Sequence, residues 1–314
     1  MPRHNAFVCT ATGTQGGAVA RALLTLGWSV TTTTRDPSSP AAQALTALGV
    51  TVHAATSFLD NAALAPALAG CDLLFLNVLP VFTDPTLEAT HAKNILDLAV
   101  AAGIRHVVYS TSLILPTPEG GTPNPLLAAA AASKREAEAY LASLSPDSIP
   151  VWTVLRPGFF MTNFLAPMTS LLYPGAAETG LFTVAFAPDT PLPMVDPADI
   201  AAFAAAAFQD PERFGAQYID IVSEAVEVER ALEVMRKGTG KGIRARYLSE
   251  GGVEEARKVN PMLIVQERLR DVSKGGVVGD VEGVKTWGVK VGTFEGFVER
   301  EKVAFLETYA AVET

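Results

Sequence analysis

The chain has 314 residues, 49% of them hydrophobic, and a net charge of −9, with an isoelectric point near 5.0. That supplies a core for one large domain or a domain with a substantial appendage, and it argues against a nucleic-acid-binding surface, which needs a basic face. The one basic stretch, Arg236 to Arg246 (RKGTGKGIRAR), is short and flanked by acids, so it reads as a solvated helix end and loop rather than a phosphate-binding patch.

In chain order, strand-like runs fall at Ala6–Thr12, Ser29–Arg35, Val50–Ala55, Asp72–Val78, His106–Ser112 and Val151–Pro157. Several are apolar on both faces, the mark of a parallel sheet covered on both sides. Helical stretches lie between them at Gly17–Leu26, Ala41–Leu48, Asn61–Ala69, Pro85–Ala102 and Ala128–Ser143. The first four stop at Gly27, Gly49, Gly70 and Gly103, the expected helix stop. Repeated βα alternation predicts an α/β fold with a doubly wound parallel sheet.

The second half is less regular. MVDPADI gives a short strand and a helix start, with Asp196 as N-cap, Pro197 in the first helical position and Asp199 in the first turn. After that helix the pattern predicts a strand Gln217–Val222, a helix Glu224–Lys237, a strand Arg244–Leu248, and helical runs Gly252–Val272 and Thr293–Tyr309. Residues 1–157 are expected to form a nucleotide-binding domain. Residues 158–314 are expected to form mainly a smaller C-terminal α/β substrate lobe, with some segments returning to the sheet.

Cys9 and Cys71 fall in apolar strand-like runs, so buried free thiols and a reducing, cytoplasmic setting are expected. MPRHNAF has no apolar signal-peptide core. The apolar helical run Ile200–Phe208 is well short of the roughly 20 residues that span a bilayer, so no membrane partner is read. No histidine stands at metal-ligand spacing from a Cys or another His, so no metal site is read.

The segment CTATGTQGG, Cys9 to Gly17, follows the first strand and opens the first helix. Gly13 and Gly16 let the backbone approach a pyrophosphate, and the helix N-terminus adds N–H donors and the positive end of its dipole. Thr10, Thr12, Thr14 and Gln15 complete the turn, with Thr10 where a first glycine is expected. The alternative is a purely structural tight turn; its place between strand and helix favours a dinucleotide. The second strand ends Thr33-Thr34-Arg35. An acid there accepts from a ribose 2′-hydroxyl, whereas an arginine accommodates a 2′-phosphate. Thr34 and Arg35 therefore point to NADP(H) over NAD, and Asp36 either caps the next turn or opposes the phosphate.

TATGTQGGAVARALL, TTTTRDP, HAKNILDLAVAAGIRHVVYSTS, SKREAEAYL, TVLRPGFFMTNF and PMVDPADIAAFAAAAF occur in this order. Together they resemble the NmrA-like family of atypical short-chain dehydrogenase/reductases, from about Ala6 to Leu248. The resemblance implies a Rossmann domain, NADP(H), and a C-terminal substrate lobe. The family it implies includes reductases of enones, quinones and imines as well as dinucleotide-sensing regulators.

Short-chain dehydrogenases carry a Ser after the fifth strand and a Tyr-x-x-x-Lys on the next helix. Here Ser110, Thr111 and Ser112 end the fifth strand, Lys134 lies on the next helix, and Ala130 stands four residues before it. The resemblance gives Lys134 the nicotinamide ribose and Ser112 a catalytic hydroxyl. The bland alternatives are a solvated lysine paired with Glu138 and simple strand-end hydrogen bonding. Tyr140, six residues on, points elsewhere on a helix. Carbonyl reduction wants a positioned acid, whereas an iminium needs none and a conjugated acceptor takes its proton from water.

Asn77, Val78 and Leu79 end the fourth strand and are expected along the cofactor groove. Pro157, Gly158, Phe159 and Phe160 end the sixth and resemble the family segment beside the nicotinamide. The Pro- and Gly-rich loops Leu79–Pro85 and Ile114–Leu127 read as lids. Phe159 or Phe160 could wall the substrate pocket, although an aromatic there is as often plain core, and Phe82, Leu115, Leu126, Met161 and Phe164 argue for a bulky, largely apolar small-molecule substrate. The expected function is an NADPH-dependent reductase of an imine, iminium, enone or quinone in secondary metabolism, with a cyclisation as an extension. The alternatives are a non-catalytic NADP(H) sensor and, further off, epimerase or dehydratase chemistry. The oligomeric state is left open.

Overall fold

Short runs of Val, Leu, Phe and Thr set the strands, and alanine-rich segments between them set the helices. A computed structural model describes residues 4–79, 81, 83–113, 124–274, 276 and 278–314. Its first half runs β1 (Asn5–Val8), α1 (Thr14–Thr25), β2 (Ser29–Thr34), α2 (Pro40–Ala47), β3 (Thr51–Ala54), α3 (Asn61–Leu68), β4 (Leu73–Asn77), α4 (Thr86–Ala102), β5 (His106–Ser110), α5 (Pro125–Ser143) and β6 (Val151–Pro157). Among the described residues one seven-stranded sheet forms, in the order Gln217–Ile221, β6, β5, β4, β1, β2, β3. The strands β1 to β6 pair in parallel. Strand order reverses between β1 and β4, the place where open α/β sheets bind ligands.

Both faces of this sheet are covered, and β4 and β5 are buried along their whole length. Gly27, Gly49, Gly70 and Gly103 follow helices α1 to α4 with φ between 77° and 93°, a conformation that side chains resist. The helix α5 starts earlier than its alanine run suggests. The Asn124 side chain accepts the Leu126 and Leu127 N–H groups at 3.0 and 3.2 Å, and Pro125 takes the first helical position. Leu126 therefore belongs to the first turn of α5 and not to a loop wall.

The chain divides into two units. The first comprises Met1–Ser112, Pro123–Pro157 and Pro197–Asp220. Its core gathers Phe7, Leu74, Leu76, Ile95, Tyr109 and Leu141, and its helix Pro197–Gln209 lies along α1. The second comprises Leu113–Thr122, Gly158–Asp196 and Ile221–Thr314. It holds a three-stranded sheet of Glu224–Glu227, Pro191–Val195 and Phe159–Phe160, and a strand pair of Arg244–Tyr247 with Leu181–Val184. Its core is aromatic: Phe164, Tyr173, Phe182, Phe294, Phe305 and Tyr309.

Three elements of the second unit differ from the sequence expectation. Glu224–Glu227 is not the start of a helix but a strand antiparallel to Pro191–Met194; the helix is Val228–Thr239. The run 252–272 is two helices, Glu250–Arg257 and Leu263–Ser273, parted at Asn260-Pro261, where proline lacks an N–H. The run 293–309 is likewise split at Glu301 into Phe294–Arg300 and Lys302–Thr308. Among the described residues, no helix is long and apolar enough to cross a membrane.

Candidate functional site

The turn after β1 is made by close backbone approach. The Gly13 N–H donates to the Thr10 carbonyl at 2.8 Å, and the Gly17 N–H donates to the Gly13 carbonyl at 2.9 Å. Gly16 backs onto the strand end. A Cβ there would lie 2.5 Å from the Thr10 carbonyl oxygen and press on that of Cys9. Gly13 precedes α1 with no side-chain cap, so the first-turn N–H groups are left for another partner. Thr12, Gly13 and Thr14 are exposed and Gln15 is half-buried.

Thr10 has φ 51°, the left-handed region where glycine is at ease. A β-branched residue there stores about 1–3 kcal/mol of strain. Its hydroxyl is held in place: the Asn77 side-chain amide donates to Thr10 Oγ1 at 2.9 Å. Asn77 is the last residue of β4, so this bond joins the turn after β1 to the end of β4 where the strand order reverses. Beneath the turn, burial pushes the Cys9 thiol up to about 12.

Hydroxyls at the end of β5 are committed to named partners. Ser110 Oγ donates to Gln15 Oε1 at 2.7 Å, tying the turn to β5. Thr111 Oγ1 donates to Glu138 Oε1 at 2.7 Å. Glu138 also accepts from Arg156 Nε at 3.1 Å and Nη2 at 2.5 Å. The guanidinium lies 4.7 Å from the Tyr218 ring centre. Ser112 is half-buried.

The alternative pairing of Lys134 with Glu138 does not form, because Arg156 and Thr111 occupy that carboxylate. Lys134 Nζ instead pairs with Glu88 Oε1, with side chains 13% and 3% exposed. Glu88 lies in the first turn of α4, where the helix dipole favours an anion. Sequence reasoning passed over it. The signal was its spacing: Glu88, Ala92, Ile95, Leu96 and Ala99 share the buried stripe of α4. Tyr140 donates its hydroxyl to Asp97 Oδ1, with Lys93 over its ring, and so points to a different partner from Lys134.

At the end of β2, Thr34 is half-buried, and Arg35 just beyond it is exposed. Asp36 accepts from the Ser38 hydroxyl at 2.6 Å and the Ser38 N–H at 2.8 Å. Those bonds, the hydroxyl first, hold its carboxyl below the usual range. Of its two readings, Asp36 takes the role of turn cap.

The remaining residues named from the sequence fall in both units. Val78 is buried in the first unit, and Leu79 is exposed. Pro157 ends β6, while Gly158, Phe159 and Phe160 belong to the second unit. A Cβ on Gly158 would strike the Pro193 carbonyl oxygen, so this glycine serves close strand approach. Phe159 packs on Phe164 and Phe186 with ring centres 5.9 and 6.4 Å apart. Met161 is wholly buried, and Phe164 stacks on Tyr173 at 5.9 Å. The cavity that Phe164, Tyr173, Phe182 and Phe186 border measures about 10 Å³, room for one water at most. Met161 and Phe164 belong to the buried core cluster of the second unit. Phe82 and Leu115 lie outside the described residues. In the basic stretch, Arg236 and Lys237 pair with Glu229 and Glu233, and Lys241 donates to the Val312 carbonyl.

A Rossmann-like parallel sheet with a glycine turn at its switch point, accompanied by a smaller C-terminal α/β region, defines a dinucleotide-fold protein. The model of the NmrA-like family matches residues 3–287, and the chain belongs to that family. It is 28% identical over 251 residues to the NmrA-like family domain-containing oxidoreductase ptmS of Penicillium ochrochloron, covering 74% of this chain and 72% of that one. It is 30% identical over 224 residues to Quinone oxidoreductase 2 of Escherichia coli, covering 71% and 70%. The crystal structure of the NADPH-dependent quinone oxidoreductase from Escherichia coli complexed with NADPH superposes with a TM-score of 0.70 at 26% identity, over 94% of this chain and 99% of that one. The negative transcriptional regulator NmrA in complex with NADP shares the fold, with a TM-score of 0.73 at 21% identity over 99% and 98%.

Proposed function

We propose that this protein is an NADPH-dependent reductase of a bulky, largely apolar molecule with an imine, iminium, enone or quinone acceptor, working in secondary metabolism. One observation carries the choice of acceptor. Ala130 stands one helical turn before Lys134, and Tyr140 is committed to Asp97. The proton-donating tyrosine of related dehydrogenases therefore has no counterpart on α5. The names of the relatives, an oxidoreductase and a quinone oxidoreductase, agree with this reading.

The turn fits a dinucleotide. Gly16 admits no side chain, and the uncapped N-terminus of α1 offers N–H donors to a pyrophosphate. In this reading Thr12, Gly13, Thr14 and Gln15 hold the pyrophosphate, Thr34 and Arg35 the 2′-phosphate, and Lys134 the nicotinamide ribose. The bound nicotinamide supplies the hydride. The Asn77–Thr10 and Ser110–Gln15 bonds keep the turn in shape beforehand, which lowers the ordering cost of binding. Loss of a positioned acid slows carbonyl reduction about 10²- to 10⁴-fold. An iminium escapes that penalty, because hydride addition gives a neutral amine. A conjugated acceptor spreads its charge and takes its proton from water.

The test is NADPH consumption against cyclic imines, quinones and enones. Turnover on one of these classes is the expected result. Tight NADP(H) binding with no turnover on any of them would favour the regulatory alternative, and failure to bind NADPH would remove the reading altogether.

A further inference from the structure

α4 and α5 each carry an acid on the face they bury: Glu88 on α4, Glu138 on α5. A buried carboxylate persists only when its charge is answered. Glu138 is answered twice, by Arg156 and by Thr111. Glu88 is answered by Lys134. A second bond lies beside this pair. The Ala89 N–H, next to Glu88, donates at 2.9 Å to the hydroxyl of Ser133, next to Lys134. Two adjacent bridges thus lock the start of α4 to the middle of α5. A lysine on a four-carbon stem is otherwise free to place its ammonium over several ångströms.

From this clamp we infer that Glu88 is a positioning residue: it fixes the Lys134 ammonium for the nicotinamide ribose of NADPH. The inference rests on the nucleotide reading above. The Tyr109 hydroxyl is buried with no hydrogen-bond partner among the described residues and lies within the electrostatic reach of Glu88 and Glu138. It adds to the polar character of this interior and offers no cation to replace Lys134.

The experiment is NADPH titration of the full chain by nucleotide fluorescence, with Glu88→Gln, Glu88→Asp, Lys134→Met and the Glu88→Gln/Lys134→Met double variant. Glutamine keeps the shape and loses the charge; aspartate keeps the charge and loses a methylene. Positioning by charge predicts that Glu88→Gln weakens NADPH binding ~10-fold, and that Glu88→Asp binds more tightly than Glu88→Gln. A packing role predicts the reverse order. In the Lys134→Met background, Glu88→Gln should change the dissociation constant by less than about twofold. Lys134→Met alone strands a buried acid, so if it does not fold, the double variant and the order of Gln against Asp carry the test. Wild-type binding by Glu88→Gln, or the reverse order, overturns the inference while leaving the nucleotide reading intact. Wild-type binding by the double variant removes Lys134 from the nucleotide and the positioning role of Glu88 with it, whereas failure of the wild type to bind NADPH removes the nucleotide reading itself.

Discussion

His106 opens β5 and is 5% exposed. Its Nε2 is buried without a hydrogen-bond partner among the described residues, and its ring meets Phe208 edge-on with centres 5.1 Å apart. An imidazolium there would give up its water for nothing, so burial lowers its pKa from 6.5 to about 4. The unfolded chain takes up this proton near pH 6.5 and the folded chain only near 4. Stability is therefore fully present above the unfolded value and is lost as pH falls toward the folded one. The whole span is worth about 3 kcal/mol, and the part between about pH 7.5 and about pH 5 is worth about 2 kcal/mol. Urea unfolding of wild type and His106→Phe at those two pH values isolates it, because carboxylates common to both proteins cancel. The wild type should lose about 2 kcal/mol more than the variant on acidification. Equal losses, within about 0.5 kcal/mol, would refute a neutral buried His106.

Four further outcomes follow from the geometry. Gly16→Ala forces a Cβ onto two backbone carbonyls and should cost about 1–3 kcal/mol in urea unfolding together with NADPH affinity. Thr10→Val keeps the strained shape but leaves the Asn77 amide without its acceptor, costing about 1–2 kcal/mol by the same assay. Arg156→Ala strands the buried Glu138 carboxylate and should cost about 2–3 kcal/mol; an Arg156→Met/Glu138→Gln double variant should recover most of it. Burial holds the Cys9 thiol at about 12, so a thiol-specific disulfide reagent should leave Cys9 unmodified in the native protein and react once it is denatured.

Local chemistry made much of the first unit legible in advance. The run Val151–Pro157 is apolar and β-branched enough to be bounded to the residue, and the helix-stopping glycines announce their positive φ. What escaped was decided by distant neighbours. Glu224–Glu227 looks helical until Pro191–Met194 offers it a partner. Met161 and Phe164 read as pocket residues in the sequence, and only the fold shows the first wholly buried and the second packed on the rings of Tyr173, Phe182 and Phe294. In the candidate site, Thr10 was noticed as an anomaly in a glycine position, but its bond to Asn77 joins residues 67 apart in sequence. Glu88 and Lys134 both sit on the inner stripes of their helices, and a charge on such a stripe is itself a sign of a buried partner.

The central claim concerns which acceptor this protein reduces without a tyrosine acid. The most direct measurement compares NADPH consumption on a cyclic iminium, or a conjugated enone, with that on a saturated ketone of the same carbon skeleton. The account predicts turnover on the iminium or enone at least about 10²-fold faster than on the ketone. Equal rates on the ketone would mean that a positioned acid is present after all, and would contradict it.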